Sequence, residues 1–150
     1  MTQVARNGAA NVLLAEDHPA VREGLELLLQ RAGHHVIGWA ADVAQGVRLY
    51  DRRRPDVLIA DYSLGDEFGT ELIQRVAAID PDVRVIVYTG HTDAKTHATI
   101  LAAGARGLVL KGSDVELLLT AVDTVIGGGT YIDATAYPHA PRRLLTRRFG

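Results

Sequence analysis

The chain has 150 residues, a formal net charge of −2 and no cysteine. This length is typical of one domain with a hydrophobic core of its own, and the small net charge gives no general attraction to nucleic acid or to anionic membranes. The lack of cysteine excludes disulfides and thiolate metal sites. No apolar run approaches the roughly 20 residues of a membrane span, so we expect a cytoplasmic protein without membrane contact.

Five apolar segments alternate with five amphipathic segments along the chain. The apolar segments are short and bounded by polar residues, which is typical of strands buried on both faces of a parallel sheet. The predicted strands are residues 11–15, 36–39, 56–61, 83–89 and 106–110, and the predicted helices are residues 19–32, 42–54, 69–79, 92–103 and 113–126. The alternation predicts an α/β fold with a five-stranded, doubly wound parallel sheet.

The two ends of the chain differ from this alternating region. We expect residues 1–10 to form a disordered leader and residues 11–129 to form the folded domain. Two prolines and four arginines follow residue 130, with Asp133 as the single acid. This composition predicts that residues 130–150 form a linker or a C-terminal stub.

Acidic side chains follow the first and third predicted strands at the point where each strand ends. Glu16 and Asp17 come directly after strand one, and Asp61 closes strand three. Because the carboxyl ends of parallel strands meet at one edge of the sheet, we expect the three carboxylates to lie together. Unit charges about 4 Å apart repel by roughly 4 kcal/mol at an effective dielectric near 20. The cluster therefore predicts a shared proton or a bound cation, and oxygen ligands favour Mg²⁺ or Mn²⁺ over zinc.

Two further strand ends add a hydroxyl and an ammonium group to the same edge. Thr89 closes the fourth predicted strand, and Lys111 follows the fifth. Carboxylates, a divalent ion, a hydroxyl and an ammonium together suit metal-assisted phosphoryl transfer. In such a reaction a carboxylate is the nucleophile, and the other groups hold the phosphoryl oxygens.

The motifs at these strand ends, in this order, resemble the receiver domain of two-component response regulators. They occupy residues 14–19, 59–64, 87–90 and 105–111. Glu-Asp-His-Pro at 16–19, Lys-Gly-Ser at 111–113 and Gly-Gly-x-Tyr at 128–131 are most similar to the NarL/FixJ subfamily. The resemblance implies a CheY-like, flavodoxin-like (βα)5 fold for about residues 11–133.

The resemblance also implies a signalling role. Asp61 would be the phosphoacceptor, receiving a phosphoryl group from phosphohistidine on a sensor histidine kinase or a phosphotransfer protein. Lys111 and Thr89 would each hold a phosphoryl oxygen. Such a domain is not an enzyme in the usual sense, since it carries out at most a slow self-dephosphorylation.

A magnesium site belongs to the same resemblance. Asp17, Asp61 and the backbone carbonyl of Ser63 would bind Mg²⁺ directly, and Glu16 would act through a water molecule. Glu16 stands where an aspartate is more usual. Gly65 stands where a proline is common, so we expect a looser loop after Asp61.

The switch face departs from the family pattern at Leu108. Many receivers carry tyrosine or phenylalanine here, and the inward rotation of that ring reports phosphorylation. Tyr88 is not an obvious substitute, because neighbouring strand residues point to opposite faces. We therefore expect the signal to travel by another route, or weakly, over a switch face that includes Leu108, which would add apolar surface, and His91. Either helix four, strand five and helix five, or helices one and five, could form the resulting interface, including one within a homodimer.

Three side chains beside the predicted site have less defined roles. Ser63 and His91 flank the site by sequence and could tune hydrolysis of the acyl phosphate, although a plain loop role is an equal alternative. We assign His18 only to the start of the first helix.

The sequence does not determine through which output the protein acts. In the NarL/FixJ subfamily a helix-turn-helix DNA-binding domain follows the linker, and residues 145–148 resemble its opening. We expect a stand-alone or truncated receiver that contacts DNA only through an output domain absent from this chain.

Three other functions compete with a phosphorylated receiver. A haloacid-dehalogenase-like phosphatase would need an aspartate where Ser63 stands. A nucleotide or flavin binder would need a glycine-rich loop after strand one instead of Glu16 and Asp17. A docking module that no longer depends on phosphorylation is favoured by Leu108 and disfavoured by the intact set of site residues.

Overall fold

The computed structural model describes residues 8–133, and a six-stranded parallel sheet with the order β2-β1-β3-β6-β7-β8 lies at its centre. Two short antiparallel strands, β4 and β5, form a separate ribbon. The strands are β1 Asn11–Ala15, β2 His35–Ala40, β3 Val57–Ala60, β4 Ser63–Leu64, β5 Glu67–Phe68, β6 Val85–Thr89, β7 Gly107–Leu110 and β8 Tyr131–Ile132. All five predicted strands are present in the sheet.

Five helices connect the parallel strands, as predicted. They are α1 Pro19–Arg31, α2 Val43–Arg53, α3 Gly69–Ile79, α4 Ala94–Ala102 and α5 Glu116–Ile126. Asp42 and Asp93 cap α2 and α4, because each carboxylate accepts a hydrogen bond from the backbone N–H three residues later. Within residues 8–133, no helix combines the length and the apolar character needed to cross a membrane.

The hydrophobic core has two parts, one on each face of the sheet. Leu58 and Ile59 are neighbours in β3, but alternation along the strand sends their side chains to opposite faces. Leu58 packs in the cluster that holds the buried residues of α2, α3 and α4, whereas Ile59 packs with those of α1 and α5. The doubly wound fold is therefore confirmed.

The sheet reaches beyond the segment predicted to be the folded domain. β8 pairs with β7, and the adjacent Asp133 is fully buried, although both lie in the segment assigned to the linker. Ala10, assigned to the leader, is also buried, and its backbone N–H donates to Nδ1 of His34 at 3.0 Å. The remaining parts of the predicted leader and linker, residues 1–7 and 134–150, lie outside the described residues.

Helix α5 begins later than the predicted residue 113. The hydroxyl of Ser113 donates to the Asp133 carboxylate at 2.6 Å, and the helix begins three residues later, at Glu116. Asp114 instead accepts the backbone N–H of Glu116 at 3.0 Å. Ser113 therefore joins the β7–α5 loop to the end of β8, because the buried Asp133 carboxylate needs hydrogen-bond donors.

Candidate functional site

The carboxyl ends of β1, β3 and β7 place three charged side chains at one edge of the sheet. Ala15 is the register partner of Ala60, so the residues that follow them, Glu16 and Asp61, leave the sheet side by side. The Asp61 backbone N–H also donates to the Ala15 carbonyl at 3.0 Å. Lys111 follows Leu110, the last residue of β7. The parallel register thus brings the predicted groups together at the edge where open α/β sheets bind ligands.

Lys111 joins two carboxylates of this edge. Its Nζ donates to Oδ2 of Asp61 at 2.8 Å and to Oε1 of Glu16 at 3.1 Å. Both carboxylate side chains are almost fully buried, with exposed fractions of 6% and 3%, whereas the Lys111 side chain is 23% exposed. The ammonium group therefore offsets part of the repulsion between two acids that are largely shielded from water.

The protonation of Lys111 follows from these contacts. Burial lowers its pKa, but the hydrogen bond to Asp61 and the negative charges of Asp61 and Glu16 outweigh that effect. The pKa of Lys111 is therefore raised from its ordinary value of 10.5, and the side chain stays cationic at neutral pH.

Asp17 is the third acid of the cluster, and it contacts a different part of the site. Its Oδ2 accepts the backbone N–H of Gly65 at 2.9 Å. Gly65 has a φ of +61° in the turn between β4 and β5. Proline can neither adopt this φ nor donate this hydrogen bond. Gly65 thus allows a hydrogen bond between this loop and Asp17 that a proline could not make, and the looser loop stays a prediction.

His18 belongs to the site, although its position in the sequence predicted only a place at the start of α1. Its Nδ1 lies 2.8 Å from Oε2 of Glu16 and 3.2 Å from Oδ1 of Asp17. The hydrogen bond with Glu16, and then the charge of Asp17, raise the pKa of His18 above its ordinary value of 6.5. The sequence carried one signal for this role of His18, which directly follows Glu16 and Asp17. The backbone bends at Asp17 before α1 begins, and the three side chains therefore come together.

The acidic edge fits a divalent cation. One potential ligand atom from each of four residues, Glu16, Asp17, His18 and Asp61, lies within 4.8 Å of the others. Oδ1 of Asp17 is buried and, among the described residues, accepts no hydrogen bond, although His18 Nδ1 is nearby. A buried carboxylate oxygen without a donor is costly, and a bound cation removes that cost. Hard carboxylate oxygens suit Mg²⁺ or Mn²⁺, the ions predicted from the sequence.

Thr89 lies at the end of β6 and is fully buried. Its Oγ1 accepts the backbone N–H of His91 at 3.1 Å. The Lys111 backbone N–H donates to the Thr89 carbonyl at 2.8 Å, but among the described residues no hydrogen bond joins the Thr89 hydroxyl to Asp61 or to the Lys111 side chain. The structure therefore places Thr89 at the predicted edge, with its hydroxyl bonded to the loop that leads into α4.

A pocket of about 270 Å³ opens above Asp61. Its lining also includes Ser63 and His91, whose side chains approach each other with 3.5 Å between Oγ and Nε2. Tyr62 packs against the edge of the His91 ring, with 4.9 Å between the ring centroids, and also contacts Phe68. The two residues that we considered for tuning hydrolysis thus lie at the mouth of this pocket.

Leu108 is fully buried in the core on the α2, α3 and α4 side of the sheet, so the expectation that it adds apolar surface to an interface was wrong. Tyr88 packs on the opposite side, with α1 and α5, so it cannot occupy the same position. Its register partner is Val109, whereas Leu108 pairs with Val87. The prediction that Tyr88 does not replace an aromatic ring at position 108 is confirmed.

Comparison with known proteins identifies the family. The response regulator receiver domain model matches residues 12–123, so the chain belongs to this family, as the motifs predicted. Receiver domains of response regulators are signalling proteins of two-component systems rather than enzymes in the usual sense, and they generally bind Mg²⁺ at an acidic pocket.

Two curated relatives are similar over most of this chain. The methanol utilization control regulatory protein MoxX of Paracoccus denitrificans is 31% identical over 125 residues, and the oxygen regulatory protein NreC of Staphylococcus epidermidis is 34% identical over 124 residues. The alignments cover 82% and 81% of this chain but 56% and 57% of those proteins. The chain thus spans little more than half the length of these relatives.

Solved structures show the same fold. A LuxR-family response regulator from Aurantimonas sp. SI85-9A1 matches with a TM-score of 0.80 and 32% identity, covering 82% of this chain and 89% of that one. The isolated receiver domain of RcsB from Salmonella enterica, solved with a phosphomimetic, matches with a TM-score of 0.79 and 25% identity, covering 87% and 97%. The LuxR-family match supports the predicted similarity to the NarL/FixJ subfamily.

Proposed function

We propose that Asp61 accepts a phosphoryl group from phosphohistidine on a sensor histidine kinase or a phosphotransfer protein. The observation that carries this proposal is the contact between the buried Asp61 carboxylate and Lys111, at the base of a pocket open to solvent. A carboxylate at such a position is accessible to an incoming phosphoryl group. The nearby ammonium group can offset the charge that the phosphoryl oxygens bring.

The proposed reaction is a substitution at phosphorus. A carboxylate oxygen of Asp61 donates an electron pair and forms the new P–O bond of an acyl phosphate, while the P–N bond of the donor breaks. The leaving imidazole keeps the electron pair of the P–N bond. Lys111 then moves its hydrogen bond from the carboxylate to a phosphoryl oxygen, and the Thr89 hydroxyl donates to another.

We propose that the acidic edge binds the divalent ion that the reaction needs. Asp17, Asp61 and the backbone carbonyl of Ser63 would hold Mg²⁺, with Glu16 acting through water. When bound, the ion would supply positive charge that offsets the charge of the phosphoryl oxygens. His18 orients Glu16 through the contact between Nδ1 and Oε2.

We further propose that phosphorylation changes a protein–protein surface, so that the domain acts as a switch. Residues 8–133 contain no second domain, and the curated relatives are considerably longer. Any DNA-binding output domain would therefore lie outside residues 8–133. Homodimer formation is one form that the changed surface could take.

The proposed reaction can be tested by intact-mass spectrometry. The full chain is incubated with Mg²⁺ and acetyl phosphate, and the gain of one phosphoryl group is measured. An acyl phosphate is stable in acid and labile in base, so mild base should remove the added mass. Asp61→Asn should gain nothing, because the amide is not a nucleophile.

Asp66→Asn is the matched control, because Asp66 is an exposed acid in the turn that follows the site. It should gain the phosphoryl group at the wild-type rate. A wild-type chain that stays unlabelled under conditions that label another receiver would contradict the proposal. That result would favour the docking module that does not depend on phosphorylation, for which the buried Leu108 is the supporting observation.

A further inference from the structure

Helix α4 is attached to the domain through few buried side chains. It is the shortest of the five helices, with 9 residues, and only His97 and Ile100 among these are buried. Ile100 belongs to the apolar core on this side of the sheet, whereas His97 is a fully buried polar side chain. Any hydrogen bond made by His97 is therefore a large part of what holds α4 in place.

His97 bonds to the loop that precedes its own helix. Its Nε2 lies 2.6 Å from the backbone carbonyl oxygen of His91. A carbonyl oxygen only accepts hydrogen bonds, so Nε2 must carry the proton and donate it. The buried imidazole thus connects α4 to the segment that follows β6.

The same loop residue bonds to the phosphorylation site. The backbone N–H of His91 donates to Oγ1 of Thr89 at 3.1 Å. His91 therefore links the Thr89 hydroxyl, through its N–H, to the His97 imidazole, through its C=O. A hydroxyl that turns toward a new acceptor must carry His91 with it or release its N–H, and either change alters the peptide that His97 holds.

We propose that His97 is a positioning residue that passes the movement of Thr89 to helix α4. This inference rests on the proposed phosphorylation of Asp61. It supplies a route in a chain where the buried Leu108 cannot rotate as an aromatic ring with a hydrogen-bonding group could. His91 is hydrogen-bonded both to Thr89 at the site and to His97 in α4, so a continuous set of hydrogen bonds connects the site with the helix.

The test uses ¹H–¹⁵N NMR of the full chain with Mg²⁺ and beryllofluoride, which stands in for the phosphoryl group. In the wild-type chain the amide resonances of α4 should shift when beryllofluoride is added. In His97→Leu, which keeps the volume and removes the donor, the α4 shifts should fall to less than about half, because the ligand no longer biases the helix through His91. The amides next to Asp61 and Lys111 should respond as in the wild type.

His97→Gln is the conservative variant, because its side-chain amide can place an N–H near the position of Nε2. It should restore the α4 response. A wild-type α4 response in His97→Leu would overturn the proposal, and so would a loss in His97→Gln equal to that in His97→Leu, since both results would assign His97 to packing alone.

A second measurement needs no substitution. The Nε2–H resonance of His97 in the wild-type chain should shift on addition of beryllofluoride, and an unchanged resonance would overturn the proposal even where His97→Leu fails to fold. Intact-mass measurement of the same protein preparations, incubated with Mg²⁺ and acetyl phosphate before any beryllofluoride is added, separates the two hypotheses. Unlabelled Asp61 contradicts the proposed function, whereas labelled Asp61 with an unmoved α4 contradicts only the role of His97.

Discussion

His34 shows how one buried side chain makes the stability of this domain depend on pH. Its ring is 5% exposed, and its Nδ1 accepts the backbone N–H of Ala10, so the neutral form with the proton on Nε2 fits the site. Burial lowers the pKa of His34 from its ordinary value of 6.5, and the charge of Asp123 opposes this only in part. The unfolded chain therefore takes up a proton at a higher pH than the native chain does.

We predict that His34→Asn makes stability less sensitive to acid. Stability from neutral His34 is fully present above pH 6.5 and declines as the pH falls toward the lowered native pKa, because protons bind preferentially to the unfolded chain. Asparagine keeps an acceptor near the position of Nδ1 but does not titrate. Between about pH 7.5 and pH 5.5, the wild type should lose up to about 1 kcal/mol relative to the variant.

Urea unfolding of both chains at several pH values measures this difference. His35→Asn is the control, because His35 is an exposed neighbour. Its stability should follow that of the wild type as the pH changes. A constant difference between the wild type and His34→Asn over the whole pH range would contradict the prediction.

At the scale of the elements, the start of α3 fixes the backbone of Asp61, the proposed phosphoacceptor. Gly69 is buried at the first position of the helix, and its N–H donates to the Tyr62 carbonyl at 2.6 Å. A Cβ at this position would collide with the backbone carbonyl of Asp61. The close approach of the helix to the end of β3 therefore requires a residue without a side chain.

Gly69→Ala should accordingly move Asp61 as well as strain the domain. We expect a loss of about 1–3 kcal/mol in the free energy of unfolding, together with slower labelling of Asp61 by acetyl phosphate. Gly24→Ala is the matched control, since a Cβ there meets nothing within 4 Å, and it should add about 0.5–1 kcal/mol of helix stability. Labelling of Gly69→Ala at the wild-type rate would show that Asp61 does not depend on this close approach.

Most of the secondary structure and the acidic edge could be predicted from the sequence. The strands and helices follow from the spacing of apolar residues, and the acidic edge follows from the parallel order of β1 and β3, because both depend on local patterns and one topological rule. The hydrogen bond from the Ser113 hydroxyl to Asp133 could not be predicted from such patterns. Its partner Asp133 is 20 positions away and belongs to a two-residue strand, which is too short to give a periodic signal.

Within the site, contacts that depend on loop geometry could not be predicted from the sequence either. The sequence placed Glu16, Asp61 and Lys111 together, since each follows a strand of the sheet. The link between Gly65 and Asp17 spans 48 positions, and it depends on a hairpin turn whose geometry no apolar pattern encodes. Side chains that follow strands could therefore be assigned, whereas backbone donors in loops could not.

For the molecule as a whole, the repulsion among the carboxylates of the acidic edge lowers the stability of the domain, and the proposed metal site accounts for keeping these acids together. Lys111 contacts Glu16 and Asp61, but Asp17 lies outside its hydrogen bonds, and the buried Oδ1 of Asp17 has only His18 Nδ1 nearby, at 3.2 Å, in the described part of the chain. Without a divalent ion, Asp17 therefore adds negative charge to an edge that the ammonium group balances only in part. Functional sites commonly reduce stability in this way.

Asp17→Asn should therefore stabilise the domain when divalent ions are removed with EDTA. Asparagine can still accept the Gly65 N–H through its carbonyl oxygen, while the repulsion toward Glu16 and Asp61 is lost. We expect a gain of about 1 kcal/mol, or about 2–4 °C in Tm for a domain of this size. Added Mg²⁺ should raise the Tm of the wild type by mass action but leave the variant nearly unchanged, because a direct ligand is missing. Calorimetry with and without Mg²⁺ measures both effects, and an equal response of the two chains to Mg²⁺ would place the ion away from Asp17.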